Sequence, residues 1–457
     1  MHSWVSTRSY CESRVRLASV LLLVVIPAAS RAQHYEYDVA VYGGTSGAVS
    51  AAVQAARMGK SVALIDPGCY VGDGVYLSHL GGLSSGGLGR TDVGGEVGGI
   101  AADFYRRENL LGGGSGTNVH AGKAEQVFDA MVAESGVDVF RLEHLDRTNG
   151  VVLDGARIAS IAMTSGKAFE AKAFVDGTYE GDLMAAAGVT YTVGREARGV
   201  HGETYNGIAY DRTREHVFGG TYVDPYVTPG VPASGLLPGV HRVGQDPRGN
   251  GAADERIQAY CYRMTWTKDS DRTKWTDLWG ANGENPPTGY DRANYELHDR
   301  YIHAKGDGLS KYLRTGTGIG GGKTDINNWG PCSTDFIGGN YDVYVPATGR
   351  TTNYAEATDI EREYIIRRHI EYQKGLLYFL RFACSRQSIR DEMESWGLAA
   401  DEFTDNGNFP HQLYVREARR MVGEYVMTEH NCTGDTDAPR PIGMGGYPMD
   451  SHNTHRY

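Results

Sequence analysis

Hydrophobic residues near the start of the chain fall into short blocks separated by glycine and charged residues. The block YDVAVY (37–42) is apolar and partly β-branched, which is typical of a buried strand in a parallel sheet. Residues 47–59, GAVSAAVQAARMG, contain good helix formers and end on a glycine, a common helix stop. KSVALID (60–66) is a second strand that ends in an acid. This order of strand, glycine turn, helix, strand and acid predicts a βαβ unit of the dinucleotide-binding kind.

The turn in this unit reads VYGGTSGA (41–48), where the common fingerprint is G-x-G-x-x-G. Gly43 permits the tight turn, Thr45 keeps the second position small enough for a pyrophosphate to approach, and Ala48 lets helix and strand pack closely. Asp66 follows Gly43 by 23 residues, near the spacing of the carboxylate that accepts ribose hydroxyls. The predicted nucleotide-binding residues are therefore Gly43, Gly44, Thr45, Ser46, Gly47, Ala48 and Asp66. A βαβ unit that binds no ligand is the alternative interpretation.

Further along the chain the pattern predicts more of the same sheet. Residues 124–136 predict a helix, VDVFRL (137–142) a third strand, and 155–178 successive strands that end in an acidic glycine turn. Residues 200–410 are irregular and rich in tyrosine, tryptophan and glycine, as in an inserted domain. LYVREARRMVGEYVMTEH (413–430) predicts a helix that returns to the core.

The composition narrows the class of protein. With 457 residues, 40% hydrophobic and 22% charged, the chain is globular and long enough for two domains or one large elaborated domain. Its 62 glycines cluster without a period, which excludes a collagen-like chain and indicates glycine loops packed against a ligand or another backbone. The net charge of −11 argues against a nucleic-acid partner or an anionic membrane surface.

The first residues carry a targeting pattern. Arginines precede the apolar run LASVLLLVVIPAA (17–29), and a small-x-small site ends at Ala32, which together predict a secretory signal peptide over residues 1–32. The run is too short for a comfortable membrane span and no later segment approaches that length. We therefore expect an exported, soluble mature chain. No C-x-x-C pair exists, so we expect no structural zinc site, whereas one or two disulfides remain open.

A competing motif, GLSSG (82–86), matches the nucleophile elbow G-x-S-x-G of hydrolases. That elbow needs a strand directly before it and a helix directly after it. The flanking sequences CYVGDGVYLSHLG and GLGRTDVGG fit neither requirement, so a flexible glycine loop is the better interpretation.

Several long stretches resemble a known family. They are DVAVYGGTSGAVSAAVQAARMGKSVALIDP, GGLSSGGLGRTD, FVDGTYEGDLMAAAGVTYTVGREA, DINNWGPCSTDFIGGNYD, PHQLYVREARRMVGEYVMTEHNC and GYPMDSHN. The chain resembles the secreted FAD-dependent oxidoreductases, some of which are labelled xanthan lyases. The resemblance implies an α/β fold with a Rossmann-type, glutathione-reductase-like parallel sheet, an inserted substrate domain and FAD as cofactor. It divides the chain into a signal peptide (1–32), an FAD-binding domain (33–199), an inserted substrate or cap domain (200–410) and a returning helix (411–457).

The resemblance also extends the candidate site. It implies that Gly72, Gly82 and Asp176 lie near the cofactor, although DGVYLSHLG (73–81) looks like an insertion between glycines that are adjacent in the family. Relatives continue beyond a segment like GYPMDSHN, so the chain resembles a member that lacks its closing segment.

The function implied is hydride transfer from a polar small molecule to FAD, with carbohydrates as the candidate substrate class and a side chain taking the hydroxyl proton. The candidate catalytic residues are His411, Arg416, Arg420 and His452. Arginines at helical spacing can hold a carboxylate or an oxyanion, and ion pairs with Glu417 and Glu424 are the structural alternative. The aromatic residues of 260–301 can stack on sugar faces or merely fill the core. Two other classes of protein are alternatives. One is a flavin-binding relic without activity, and the other is a hydrolase or lyase that uses Glu180 and Asp182.

Overall fold

A six-stranded sheet dominates the N-terminal half of the protein. The structure is a computed structural model that describes residues 33–93, 95–210, 217–241, 248–443, 445–447 and 450–456. The predicted signal peptide lies outside the described residues. Strand order in the sheet is β5-β2-β1-β8-β7-β6. Its strands are β1 (Gln33–Tyr42), β2 (Val62–Asp66), β5 (Asp138–Arg141), β6 (Val151–Asp154), β7 (Arg157–Ala162) and β8 (Lys167–Asp176). Between β2 and β5 in the chain lies a short hairpin, β3 (Cys69–Gly72) with β4 (Val75–Leu77).

The sheet is parallel where the βαβ unit was predicted. Strands β5, β2, β1 and β8 run parallel, whereas β8, β7 and β6 form an antiparallel meander. The helices α1 (Ser46–Arg57), α2 (Gly99–Leu110) and α3 (Ala121–Ser135) contribute side chains to a single apolar core with Val41, Val62 and Leu64 of the sheet. The alternate residues Ala40, Tyr42, Ala63 and Ile65 contribute to a second core on the opposite face. The predicted Rossmann-type α/β fold is confirmed.

The remaining elements follow the first sheet in the chain. The strands are β9 (Tyr191–Thr192), β10 (Met264–Thr267), β11 (Thr273–Lys274), β12 (Leu313–Arg314), β13 (Gly318–Gly320), β14 (Lys323–Asn328), β15 (Val343–Val345), β16 (Arg350–Thr352), β17 (Gly397–Leu398) and β18 (Arg420–Met421). The helices are α4 (Asp182–Ala186), α5 (Arg198–His201), α6 (Trp275–Trp279), α7 (Glu296–Lys305), α8 (Asp359–Tyr378), α9 (Gln387–Glu394) and α10 (Glu429–Thr433).

Residues 200–410 are more regular than their sequence suggests. Strands β11, β17, β10, β14 and β12 pair antiparallel in a second sheet. Helix α8 begins at a reciprocal cap between Thr358 and Glu361, a T-x-x-E signal that the interpretation of this region as irregular overlooked. Tyr260, Trp266 and Trp275 are at most 1% exposed in the core of this part. Core filling therefore explains these aromatic residues, and their rings are not available to stack on a sugar.

The predicted helix at 413–430 is wrong. In its place lie extended chain, β18 paired with β9, and the short helix α10. Tertiary partners override helix propensity here because the three arginines of the segment bind three separated carboxylates. Arg416 pairs with Asp335, Arg419 with Asp182, and Arg420 with Glu196. These arginines therefore do not share one helix face.

Two further findings bear on the sequence predictions. No helix in the described ranges is long and apolar enough to cross a membrane. The five cysteines of the described part, Cys69, Cys261, Cys332, Cys384 and Cys432, are all free.

Candidate functional site

The glycine turn after β1 is tightly enclosed. Gly43 has φ +125°, and a Cβ atom at this position would lie 2.5 Å from the backbone carbon of Gly177. A Cβ atom on Gly44 would overlap the carboxylate of Asp66. Only glycine fits these two positions without a shift of the neighbouring atoms.

Thr45 and Ala48 replace the second and third glycines of the fingerprint without opening the turn. Thr45 is the N-cap of α1: its hydroxyl donates to the Gly177 carbonyl at 2.7 Å and accepts from the Ala48 amide at 3.2 Å. Ala48 is fully buried, and a side chain on the opposing Gly177 would overlap its methyl group. The variant fingerprint is therefore a packed turn in which Thr45 supplies the helix cap.

Asp66 ends β2 next to this turn and is 3% exposed. It accepts hydrogen bonds from the Gly68 amide at 3.0 Å and from the Ser78 hydroxyl at 2.5 Å. Burial raises the pKa of Asp66, and these two hydrogen bonds oppose the shift. A further hydroxyl donor near this carboxylate would stabilise its charged form.

The stretch 73–81, which looks like an insertion in the sequence, forms the turn and the second strand, β4, of the hairpin β3–β4. Asp73 and Gly74 have positive φ, as expected for a two-residue Asp-Gly turn. Tyr76 on β4 donates to Glu363 of α8 at 2.7 Å. The hairpin thus ties the first sheet to α8, and the chain that follows it carries Ser78 to Asp66.

A cleft runs from the glycine turn to α8. The cleft has a cavity volume of about 120 Å³, and the space between the atoms reaches about 950 Å³ when open solvent is included. Of the predicted residues, Gly43, Gly44, Thr45, Asp66, Gly82 and His411 line it. Gly82 has φ +55° and packs against Thr45 and Tyr179. The structure brings these residues together from four separate parts of the chain.

His411 is the most unusual side chain of the cleft. It is 2% exposed, yet neither of its ring nitrogens has a hydrogen-bond partner among the described residues. Its ring stacks on that of His79, with 4.0 Å between centroids. Burial and the charge of His79 hold the pKa of His411 well below its usual range, so His411 is neutral.

The pKa of His79 is shifted in the opposite direction, upward. Its Nδ1 lies 2.8 Å from Glu125 and its Nε2 lies 3.0 Å from Asp405. Burial lowers the pKa of His79, but the two carboxylates outweigh burial and leave it raised. Neighbouring groups whose pKa values are pushed apart are typical of an acid and base pair.

A cluster of three arginines closes the far side of the cleft around Asp182. Arg362 binds this carboxylate at 2.7 and 3.0 Å, Arg419 at 2.8 Å and Arg147 at 3.2 Å. Burial raises the pKa of Asp182, but the arginines lower it by more than burial raises it, so the net shift is downward. Asp182 is therefore ionised and committed to ion pairs, which excludes it as a proton donor for a hydrolase or lyase.

Glu180 lies beside this cluster and accepts a hydrogen bond from Tyr354 at 2.8 Å. Burial raises its pKa, Arg362 lowers it, and the charge of Asp182 raises it again, so that the net shift is upward. Glu180 lines the cleft together with His411. It is a carboxyl group able to hold a proton at higher pH than usual.

The remaining predicted residues do not line the cleft. Gly72 ends β3 and does not line the cleft. Asp176 accepts from Thr178 and from the Met184 amide, and so stabilises the turn into α4. Ser46 and Gly47 begin α1 beside the turn. Arg420 is a half-buried partner of Glu196.

Arg416 and His452 meet outside the cleft. Both are buried against Asp335, whose carboxylate lies 3.2 Å from Arg416 and 2.5 Å from His452. Arg416 also donates to the Ala259 carbonyl at 2.9 Å. Burial lowers the pKa of His452, but Asp335 and Asp450 reverse the shift and raise it. Arg416 thus forms an ion pair, as in the structural alternative, but with Asp335 in place of Glu417 and Glu424.

The profile of the family described as FAD dependent oxidoreductase matches residues 38–457. The chain belongs to the FAD-dependent oxidoreductase family. The description of this family names FAD as the cofactor and oxidoreduction as the activity. The match includes the glycine turn, Asp66 and His411.

The chain has partial likenesses among solved structures. They include L-proline dehydrogenase from P. horikoshii (13% identity, 35% of this chain and 58% of that chain, TM-score 0.26). The myxobacterial chondrochloren halogenase CndH has 16% identity over 35% of this chain and 41% of that chain, with a TM-score of 0.27. A steroid monooxygenase bound to NADP has 18% identity over 31% of this chain and 26% of that chain, with a TM-score of 0.24. Each match spans less than two thirds of the other protein's length. No curated protein matches the chain.

The residues around the glycine turn fit the nucleotide half of FAD. The backbone of Gly43 and Gly44 and the first turn of α1 would hold the pyrophosphate, because a helix N-terminus favours phosphate. Asp66 would accept the ribose hydroxyls. The cavity volume of about 120 Å³ is smaller than the 300–1,000 Å³ typical of small-molecule pockets, so the fit is argued for the nucleotide half alone.

Sequence reasoning missed the cleft residues that come from other elements. His79 lies within the apparent insertion at 73–81, and Arg362 follows the T-x-x-E cap of α8. The cap signals a helix start, but no local pattern shows that this helix faces the cleft.

Proposed function

We propose that this chain is an exported FAD-dependent oxidoreductase that oxidises a polar, hydroxyl-bearing small molecule, with His411 as the acceptor of the hydroxyl proton. One observation carries the proposal. His411 is a neutral, buried imidazole without a hydrogen-bond partner, and it lines the same cleft as Gly43 and Asp66. A buried ring nitrogen that lacks a partner favours a ligand that donates to it.

Each of these cleft residues has its own role in the proposed reaction. FAD, when bound, supplies the hydride-accepting chemistry. Neutral His411 has a ring nitrogen that can accept a hydroxyl proton, as a general base does. His79, charged through Glu125 and Asp405, places a positive charge where negative charge develops on the substrate oxygen. Glu180, with its raised pKa, is a second group that can hold a proton in the cleft.

The substrate class follows from the polar lining of the cleft. Tyr179, Glu180 and Gln412 present hydroxyl, carboxyl and amide groups. Sugars and polyols match such a surface, although the buried aromatic residues of 260–301 give no stacking platform for them. The signal-peptide pattern of residues 1–32 supports export.

The test begins with the visible spectrum of the purified protein, in which flavin bands are expected. Anaerobic mixing with a panel of sugars, polyols and hydroxy acids is then followed by loss of the flavin absorbance. We expect at least one panel member to reduce the bound flavin. A spectrum without flavin bands, or a holoprotein that no member reduces, would refute the proposal.

A pair of histidine variants tests the assigned base. His411→Gln should keep its flavin bands and reduce more slowly by about 10²–10⁴-fold, the usual contribution of a general base. His369→Gln is the matched control, since His369 is also buried and neutral, with its pKa lowered to about 4, but lies outside the cleft. Equal rates for His411→Gln and the wild type would remove His411 from the mechanism.

A further inference from the structure

A second cavity, of about 350 Å³, lies between α7 and α8 and shares no lining residue with the flavin cleft. Its volume falls within the range typical of small-molecule sites. Arg368, Glu371 and Tyr372 of α8 line it, together with His298 of α7 and Arg456 from the C-terminal segment. Nothing in the proposed oxidation uses these side chains.

Positive charge dominates this cavity. Arg368 and Arg456 line it, and neither forms an ion pair with a carboxylate among the described residues. Arg368 contacts the ring of Phe336, with 5.2 Å between its guanidinium carbon and the ring centre. Burial lowers the pKa of Arg368. Glu371 is the one carboxylate among the described lining residues, and burial raises its pKa, which favours its neutral form.

The wall of the cavity also includes a buried acceptor without a partner. The Tyr372 hydroxyl donates to the Ser333 carbonyl at 2.7 Å, so it accepts from His298 Nε2 at 3.1 Å. His298 is 3% exposed, and its Nδ1 has no hydrogen-bond partner among the described residues. Burial lowers its pKa to about 3, so the ring is neutral and Nδ1 is a free acceptor.

We propose that this cavity binds a hydroxycarboxylate of monosaccharide size. Its carboxylate would pair with Arg368 and Arg456, since a guanidinium binds a carboxylate through two parallel hydrogen bonds. A ligand hydroxyl would donate to His298 Nδ1. Such a ligand satisfies the unpaired cations and the free acceptor together, whereas a neutral sugar or a simple anion satisfies only one of them. This proposal does not depend on the chemistry of the flavin cleft.

Isothermal titration of the purified holoprotein tests the site, with D-gluconate as the ligand and D-glucose and acetate as controls. Gluconate should bind, and both controls should bind at least tenfold more weakly. Gluconate binding that is undetectable at millimolar concentration, or glucose or acetate binding of equal strength, would overturn the proposal.

Arginine variants test whether gluconate binds in this cavity. Arg368→Gln should weaken gluconate affinity by about ten- to hundredfold, the usual loss for a hydrogen bond to a charged group. Arg367→Gln makes the same charge change at the preceding residue, whose exposed side chain contacts Tyr364. This variant should leave gluconate affinity unchanged. Arg368→Lys keeps the charge and the fold but loses the planar donor pair, and should also bind more weakly. Equal affinities for Arg367→Gln and Arg368→Gln would refute the location, and a thermal melt confirms that each variant is folded.

Discussion

Gly43→Ala adds a single methyl group at the tightest point of the nucleotide turn. The methyl carbon would lie 2.5 Å from the Gly177 carbon and 2.8 Å from the Thr178 nitrogen. Both are backbone atoms at the end of β8, which is hydrogen-bonded to β1 along its length. Neither can rotate away as a side chain would, so the turn itself has to shift.

The loss of folding stability in Gly43→Ala has two sources. Alanine at φ +125° is strained by about 1–3 kcal/mol, and overpacking against the backbone adds about 1–3 kcal/mol. The unfolding entropy of about 2.1 cal/mol/K per residue converts each kcal/mol into roughly 1 °C for a chain of 457 residues that unfolds as one unit. We therefore expect the Tm to fall by about 2–6 °C.

Gly47→Ala is the matched control within the same turn. Gly47 lacks a positive φ, and its added methyl group would meet Thr45 Oγ1 at an ordinary 3.6 Å. This variant should be neutral or gain about 0.4–1 kcal/mol. Thermal unfolding gives the Tm of both variants, and the ratio of flavin to protein absorbance gives their cofactor content. Gly43→Ala should lose flavin as well as stability; a variant that melts with the wild type and is fully loaded would refute the reasoning.

Two further predictions concern carboxylates of the cleft. Asp66→Asn removes the charged acceptor for the ribose and should raise the Kd for FAD by about ten- to hundredfold, measured as flavin fluorescence on release; an unchanged Kd would contradict its role. Asp182→Asn leaves three arginines without their carboxylate and should destabilise the fold by about 3–5 kcal/mol at pH 7. Because its folded pKa is depressed, Asp182 contributes stability above its unfolded pKa that is lost as pH falls. The wild-type Tm should therefore drop more steeply than that of Asp182→Asn as the pH falls below about 4, and parallel pH profiles would contradict this assignment.

The sequence by itself determined the βαβ unit. Strands β1 and β2, helix α1, the turn at Gly43 and the acid at Asp66 all lie where the pattern of apolar, small and acidic residues predicts them. These features are local, since each depends on residues within about one element of its own position. The family resemblance added FAD, which the family match confirms.

Only the tertiary structure decided which side chains meet. The segment 413–430 has helical spacing, but Arg416, Arg419 and Arg420 bind carboxylates far away in the chain, and those ion pairs hold it extended. The same long-range packing takes His452 out of the cleft. It brings His411 onto His79 across more than 300 residues, which a sequence pattern does not encode because the contact depends on how the hairpin, α8 and the C-terminal segment pack together.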